Sequence, residues 1–183
     1  MASLLALTAG TLSACGTAES TANPGLPGAA KNSTSRYLAP ADRTITPAVS
    51  GTTLTGKHLD IAQWRGNVVV INVWGSWCAP CRKEAPELAR LAKETAASGV
   101  HFLGVDIRDS KRAALAFESD YGIGYPSLFD PDGRGLLGFK SLAARAVPTT
   151  YVLDRTGKVA AMSIGPLNAR GFLPIIRGIA EEK

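Results

Sequence analysis

Histidine and cysteine are scarce in this chain of 183 residues, which has two of the first and three of the second. The histidines, His58 and His101, lie far apart and carry no ligand spacing to any cysteine. A tetrahedral zinc site needs four such ligands, so no metal is expected. Long apolar runs are missing as well. Past the first 15 residues nothing reaches the ~18 consecutive apolar residues of a membrane-spanning helix. Charge is not concentrated either. Of the net +5, the first 45 residues carry +1 (Lys31, Arg36 and Arg43 against Glu19 and Asp42), and the rest is scattered. There is no basic run and no basic patch interleaved with aromatics, so a solvated surface is expected rather than a nucleic-acid partner. No internal repeat is present. What remains, 45% hydrophobic, suffices for one well-buried domain.

Against that background one stretch stands out, Trp77-Cys78-Ala79-Pro80-Cys81. It follows the apolar run Val68-Val69-Val70-Ile71-Asn72-Val73-Trp74 and opens a helical pattern. A strand thus delivers two cysteines to a helix N-terminus, where unpaired N–H groups and the helix dipole favour a thiolate. A bridge between them closes a loop of about four residues and barely constrains the unfolded chain. Such a bond is suited to being made and broken. Cys78, expected to be exposed at the helix start, is the candidate nucleophile. Cys81, one turn in and more buried, is the candidate resolving thiol. Pro80 needs no N–H there and stiffens the loop, while Pro86 lies deeper and should bend the helix. Trp77 is expected to shield the pair and to touch substrate as well as pack.

Around this motif the pattern is α/β. Thr52 to Leu59 reads as a weak edge strand or hairpin, and Ile61 to Gly66 as a turn. Residues 68–74, apolar at nearly every position, read as a strand covered on both faces. In the helix that follows, Ala85, Leu88, Ala92 and Ala96 share a face, and Gly99 stops it. Val100 to Val105 is the next strand, parallel to the first. Asp109-Ser110 caps a second helix with Ala113, Phe117 and Tyr121 on one face. A short strand follows over Tyr125 to Phe129, and a short helix over Leu136 to Ala144. Thr149 to Leu153 and Lys158 to Ile164 flank the turn Asp154-Arg155-Thr156-Gly157 as a hairpin. A last helix runs from Ala169 to Ala180 with Leu173, Ile176 and Ile179 or Ala180 inward. Helices on both sides of a mixed sheet make a three-layer sandwich.

Trp77 to Cys81, the strand before it, Pro86 and Val147-Pro148-Thr149 resemble a thioredoxin-fold protein. More narrowly, Asn72 to Leu88 is similar to the TlpA/ResA group of extracytoplasmic thiol–disulfide oxidoreductases. The resemblance covers about residues 50–180. It implies a thioredoxin-like sandwich with a helix-and-strand insertion over about Ser110 to Ala144. It also implies a redox-active Cys78–Cys81 disulfide in place of any cofactor, and a cis Val147–Pro148 bond facing the cysteines, where the Val147 backbone can pair with an extended peptide. Asn72 departs from thioredoxins, which place a buried aspartate there; an amide cannot take a proton. Ala79 stands where ResA has a glutamate. Glu84, one turn beyond Cys81, is the nearest carboxylate in sequence and matches a family position, so it and Asn72 are candidate modulators of the pair. The ordinary reading of Glu84 is a surface carboxylate paired with a neighbouring base such as Arg82. The implied partners are oxidised proteins such as apocytochrome c with its haem-attachment cysteines, and a membrane thiol reductant of the CcdA type. A disulfide-forming oxidase and a non-catalytic binding module of the same fold are the rivals.

The third cysteine, Cys15, closes Leu12-Ser13-Ala14-Cys15, which resembles a bacterial lipobox, after a short apolar stretch. The expectation is a signal over residues 1–14, lipidation of Cys15, and a flexible linker over 15–50 rich in Gly, Ala, Ser, Thr and Pro. A thioredoxin-like domain then occupies 51–183, a monomer anchored to the outer side of the cell membrane. No Lys or Arg precedes Cys15, so the basic start of a signal is missing and is expected upstream of Met1.

Overall fold

A computed structural model describes residues 34–46, 48–142, 144 and 146–182. Cys15 and the expected signal lie outside them. Eight strands and three α-helices are described: β1 (Thr34–Tyr37), β2 (Ser50–Thr52), β3 (His58–Asp60), β4 (Val68–Trp74), α1 (Ala79–Thr95), β5 (Val100–Asp106), α2 (Lys111–Tyr121), β6 (Ser127–Phe129), β7 (Thr149–Leu153), β8 (Val159–Ile164) and α3 (Ala169–Glu181). Six of the strands form one mixed sheet in the order β1-β8-β7-β4-β5-β6, and β2 and β3 pair separately as a hairpin. β5 lies parallel to both β4 and β6, whereas β7 is antiparallel to both β4 and β8.

Every residue of β4 is buried, as its continuous apolar run requires of a central strand. Its alternation sorts the core into two faces. Val69, Ile71 and Val73 join Leu103, Val105, Tyr151, Leu136 and Phe139 on one side. Val68 and Val70 meet Leu88 and Leu91 of α1 and Phe172, Ile176 and Ile179 of α3 on the other. Trp74 has the same parity as Val68 and Val70, and its ring stacks on Phe117 of α2 at 4.3 Å. All three α-helices therefore pack on one face. The third layer comes from the β2–β3 hairpin, a 3-10 turn over Ile61–Trp64 and a 3-10 helix over Arg134–Leu142.

Three details differ from the sequence reading. The segment expected as linker up to residue 50 is folded from residue 34 onward. β1 pairs with β8, Leu38 and Val49 are buried, and Ile45 bridges Lys158. On α1 the buried arc is Cys81, Glu84, Ala85, Leu88, Ala89, Leu91 and Thr95, so Ala96 falls outside it, in a 3-10 turn that Gly99 ends with φ +71°. On α2 Ala114, not Ala113, is buried beside Phe117. The insertion adds α2 and the parallel edge strand β6, which places Phe117 and Tyr121 against the cysteine-bearing end of the sheet.

Candidate active site

β4 ends at Trp74, and a short loop carries Trp77 and Cys78 to the start of α1. Gly75 is required in that loop, because a Cβ there would stand 2.5 Å from the Trp77 indole nitrogen. Cys78 is the N-cap of α1, and its Sγ accepts the Cys81 N–H at 3.2 Å. The two cysteines form a disulfide. A helix-terminal N–H aimed at Sγ also stabilises the thiolate once the bond is opened. Pro80 sits in the first turn, where its missing N–H costs nothing, and Ala79 is exposed.

Cys78 differs from the exposed thiol expected of it. In the disulfide form it is 3% exposed, packed with Cys81 among Leu54, Trp74, Ala85, Ala114 and Phe117, with Val147 against them. Trp77, the neighbour of Cys78 in sequence, is 45% exposed. The Trp77 Nε1–H donates to the Ile107 carbonyl at 3.3 Å, and Arg108 stacks over its ring with Cζ 4.7 Å from the centroid. The Val147–Pro148 bond is cis. Val147 lies against the cysteine cluster, and Pro148 is buried with its carbonyl accepting the Gly165 N–H at 2.8 Å.

Glu84 overturns the surface reading. One turn beyond Cys81 on the buried arc, it is 4% exposed. One carboxylate oxygen accepts from Asn72 Nδ2 at 3.0 Å and the other from the Leu167 N–H at 2.8 Å. Burial pushes its carboxyl up to about 7, against those two hydrogen bonds, which lower it. Arg82, its expected partner, instead donates to the Ser76 carbonyl at 2.9 Å in solvent. Asn72 itself spans from Glu84 to Thr150 Oγ1 at 3.1 Å, tying α1 to β4 and β7. The periodicity did hold a signal: Glu84 stands at i+3 from Cys81 and i−4 from Leu88, inside the apolar arc.

A second buried carboxylate escaped the sequence reading. Asp106 ends β5 with no exposure, and neither of its oxygens has a hydrogen-bond partner among the described residues. Burial, then the charges of Asp109 and Glu118, push it up to about 8. Asp109 accepts from the Ser76 N–H at 2.6 Å and its neighbour Ser110 N–H at 2.7 Å, so it braces the loop before Trp77. The Tyr125 phenol is raised by burial and by the charges of Glu84 and Glu118. Among the described residues no group of three or more Cys, His, Asp or Glu is arranged to hold a metal ion.

The arrangement provides a helix-capped dithiol, an apolar shelf at Val147 and a buried carboxyl poised near neutrality. Thiol–disulfide exchange needs a thiolate and a disulfide and no cofactor. The chain is 32% identical to the thiol-disulfide oxidoreductase ResA of Bacillus subtilis over 112 residues, 61% of each protein. It is 37% identical to the thiol:disulfide interchange protein DsbE of Allochromatium vinosum over 115 residues, 62% of this chain and 60% of that one. It thus spans about three fifths of the length of the curated relatives it matches. A secreted thiol-disulfide isomerase from Corynebacterium glutamicum superposes with TM-score 0.77 at 32% identity, over 81% of this chain and 92% of that one. The AhpC/TSA family profile matches residues 43–162, which include both cysteines and the cis-proline loop. The chain belongs to the AhpC/TSA family of the thioredoxin superfamily.

Proposed function

We propose that this protein is an extracytoplasmic thiol–disulfide oxidoreductase that reduces protein disulfides, among them the haem-attachment cysteines of apocytochrome c. The observation that supports it most is the joint placement of the Cys78–Cys81 disulfide and buried Glu84 on one helix end. In the reduced enzyme the Cys78 thiolate attacks one substrate sulfur, and the substrate S–S bond breaks to leave a mixed disulfide and a substrate thiolate. Cys81 gives its proton to Glu84, whose carboxyl titrates near neutrality. The Cys81 thiolate then attacks Cys78 Sγ, the second substrate thiolate leaves, and two electrons have passed to the substrate. Val147 pairs its backbone with the substrate as an added strand. A membrane carrier of the CcdA type restores the dithiol.

Lipidation at Cys15 tethers the domain, as a monomer, to the outer face of the membrane, which raises its local concentration beside membrane-bound substrates. A disulfide-forming oxidase is the rival. Equilibration with glutathione buffers separates the two. A reductase is expected nearer the thioredoxin end of the scale, about −270 mV, and a value above about −150 mV would support the oxidase. For the tether, Cys15→Ala expressed with its complete signal is expected to leave the membrane fraction. Identical partitioning of wild type and variant in detergent would overturn it.

A further inference from the structure

Arg108 is the one residue other than glycine among those described with a left-handed backbone, φ +53°. A long side chain prefers not to adopt that conformation, so its neighbours must hold it there. The Ile107 N–H is tied to the Trp74 carbonyl at 3.0 Å and the Arg108 N–H to the Pro131 carbonyl at 3.1 Å. From this turn the exposed Arg108 lays its guanidinium over the Trp77 ring. Arg82 brings a second guanidinium to the Ser76 carbonyl, one residue before Trp77. Neither arginine is ion-paired to a carboxylate among the described residues. The nearest acid in sequence, Asp109, is already committed to the Ser76 and Ser110 N–H groups.

Arg108 also borders an open cleft of about 310 Å³ that runs to Val147 on the cis-proline loop. Its floor is apolar, made by Ile107, Leu136 and Val147, with Leu137 standing 75% exposed on its rim. Asp132, the acid at its edge, is paired with Arg134 at 3.4 Å. The cleft therefore offers an apolar trough that reaches Val147, against the cysteine cluster, and is bordered by an uncompensated cation.

We propose that Arg108, held over Trp77, is a specificity-determining residue that takes the carboxylate of an Asp or Glu close to the substrate cysteine, while an apolar side chain of the same extended segment lies between Leu137 and Val147. This rests on the thiol–disulfide reading of Cys78 and Cys81. The occupant is an extended stretch of an oxidised protein. A planar guanidinium already oriented by stacking loses little freedom when it meets a carboxylate.

The test uses three disulfide-bridged peptides that differ at one position two residues from the attacked cysteine: Asp, Asn or Lys, each beside a Leu. Second-order rates of their reduction by the dithiol form are compared with that of a small uncharged disulfide, hydroxyethyl disulfide. Wild type is expected to prefer the Asp peptide over the Asn peptide about fivefold, and the Lys peptide least, with the preference shrinking as salt is raised. Arg108→Gly, which suits φ +53° and so guards against misfolding, is expected to bring the Asp/Asn ratio to one. Arg108→Lys should restore part of it, and Arg108→Glu should favour the Lys peptide. Equal rates for all three peptides with wild type, or an unchanged ratio in Arg108→Gly, would overturn the proposal and leave the redox reading standing. Failure of wild type to reduce even hydroxyethyl disulfide would overturn both.

Discussion

The two ends of the central sheet treat charge in opposite ways. Where β7 turns into β8, Arg43 is buried and all of its partners are acceptors or aromatic. It donates to Asp154 at 3.2 Å, to both oxygens of Glu182 and to the Leu38 carbonyl. Asp154 is pushed up by burial, yet Thr156, Lys158 and Arg43 together hold it below the ordinary carboxylate range. At the cysteine end, Asp106 and Glu84 are as deeply buried with no cation beside them, and both carboxyls are raised. One end closes the domain by joining its N-terminal strand to its last helix. The other keeps protons available. A fold can carry uncompensated buried acids at its reactive end when the far end is fully paired.

The largest effect should come from the cysteines, which define the reactive end. Cys78→Ser is expected to reduce disulfide exchange to background, and Cys81→Ser to accumulate mixed disulfides on Cys78 that resolve slowly. Equal trapping by both variants on a non-reducing gel would reverse their roles. At the paired end, Arg43→Ala strips the partner from Asp154 and Glu182 and should cost about 3 kcal/mol in urea unfolding. The dithiol reduction potential should stay the same, because the substitution lies at the opposite end of the sheet. A shift in potential would show that the two ends are coupled.

The parts of this contrast that sequence could convey were those with a strong pattern. An unbroken apolar run can only be a covered strand, so β4 and the motif behind it were legible, as was the β7–β8 hairpin from its Asp-Arg-Thr-Gly turn. β1 was not, because Thr34-Ser35-Arg36-Tyr37 has no apolar alternation and is held largely by its backbone pairing with β8. The 51–183 boundary failed for the same reason, and Arg43 was counted only in the net charge of the first 45 residues. Glu84 was misread because charge was allowed to outweigh position. Its slot in the buried arc of α1 was visible, but the amide and backbone N–H that donate to it there, from Asn72 and Leu167, come from distant chain segments. Asp106 was cut from β5 because a carboxylate looks like the end of a strand, whereas its backbone still pairs with Trp74 and Phe129.

Asp106 gives a smaller and pH-dependent effect. Its carboxyl is ordinary, near 4, in the unfolded chain and about 8 in the fold, where Asp109 and Glu118 face it. Between those values the folded state holds the extra proton, so stability falls as pH rises, by up to ~1.4 kcal/mol per pH unit from this group. The decline ends above pH 8. Asp106→Asn has no such slope. It is expected to be about 2 kcal/mol more stable than wild type at pH 8, near the cost of a buried group left unpaired, and to be the less stable of the two at pH 5, because wild type gains more than that over three pH units. Parallel stability curves for the two proteins would mean that Asp106 is ionised in the fold.

The smallest effect, and the one that reads the chemistry most directly, belongs to Glu84. As the acceptor of the Cys81 proton it must be ionised before the mixed disulfide resolves, so resolution should speed up as pH rises through about 7. Glu84→Gln keeps an oxygen for the Leu167 N–H or for Asn72 Nδ2 but cannot accept a proton. We expect it to slow resolution about tenfold at pH 7 and to remove the inflection near 7, while the first attack by Cys78 is slowed far less. Rapid mixing of the reduced protein with a labelled disulfide, quenched by acid, separates the two steps. Loss of both steps in equal measure would mark Glu84 as a structural tie between α1 and the segment at Leu167 rather than the proton acceptor. An inflection near 7 that survives in Glu84→Gln would assign the titrating group to the Cys81 thiol itself, since Cys78 is held in the mixed disulfide during this step.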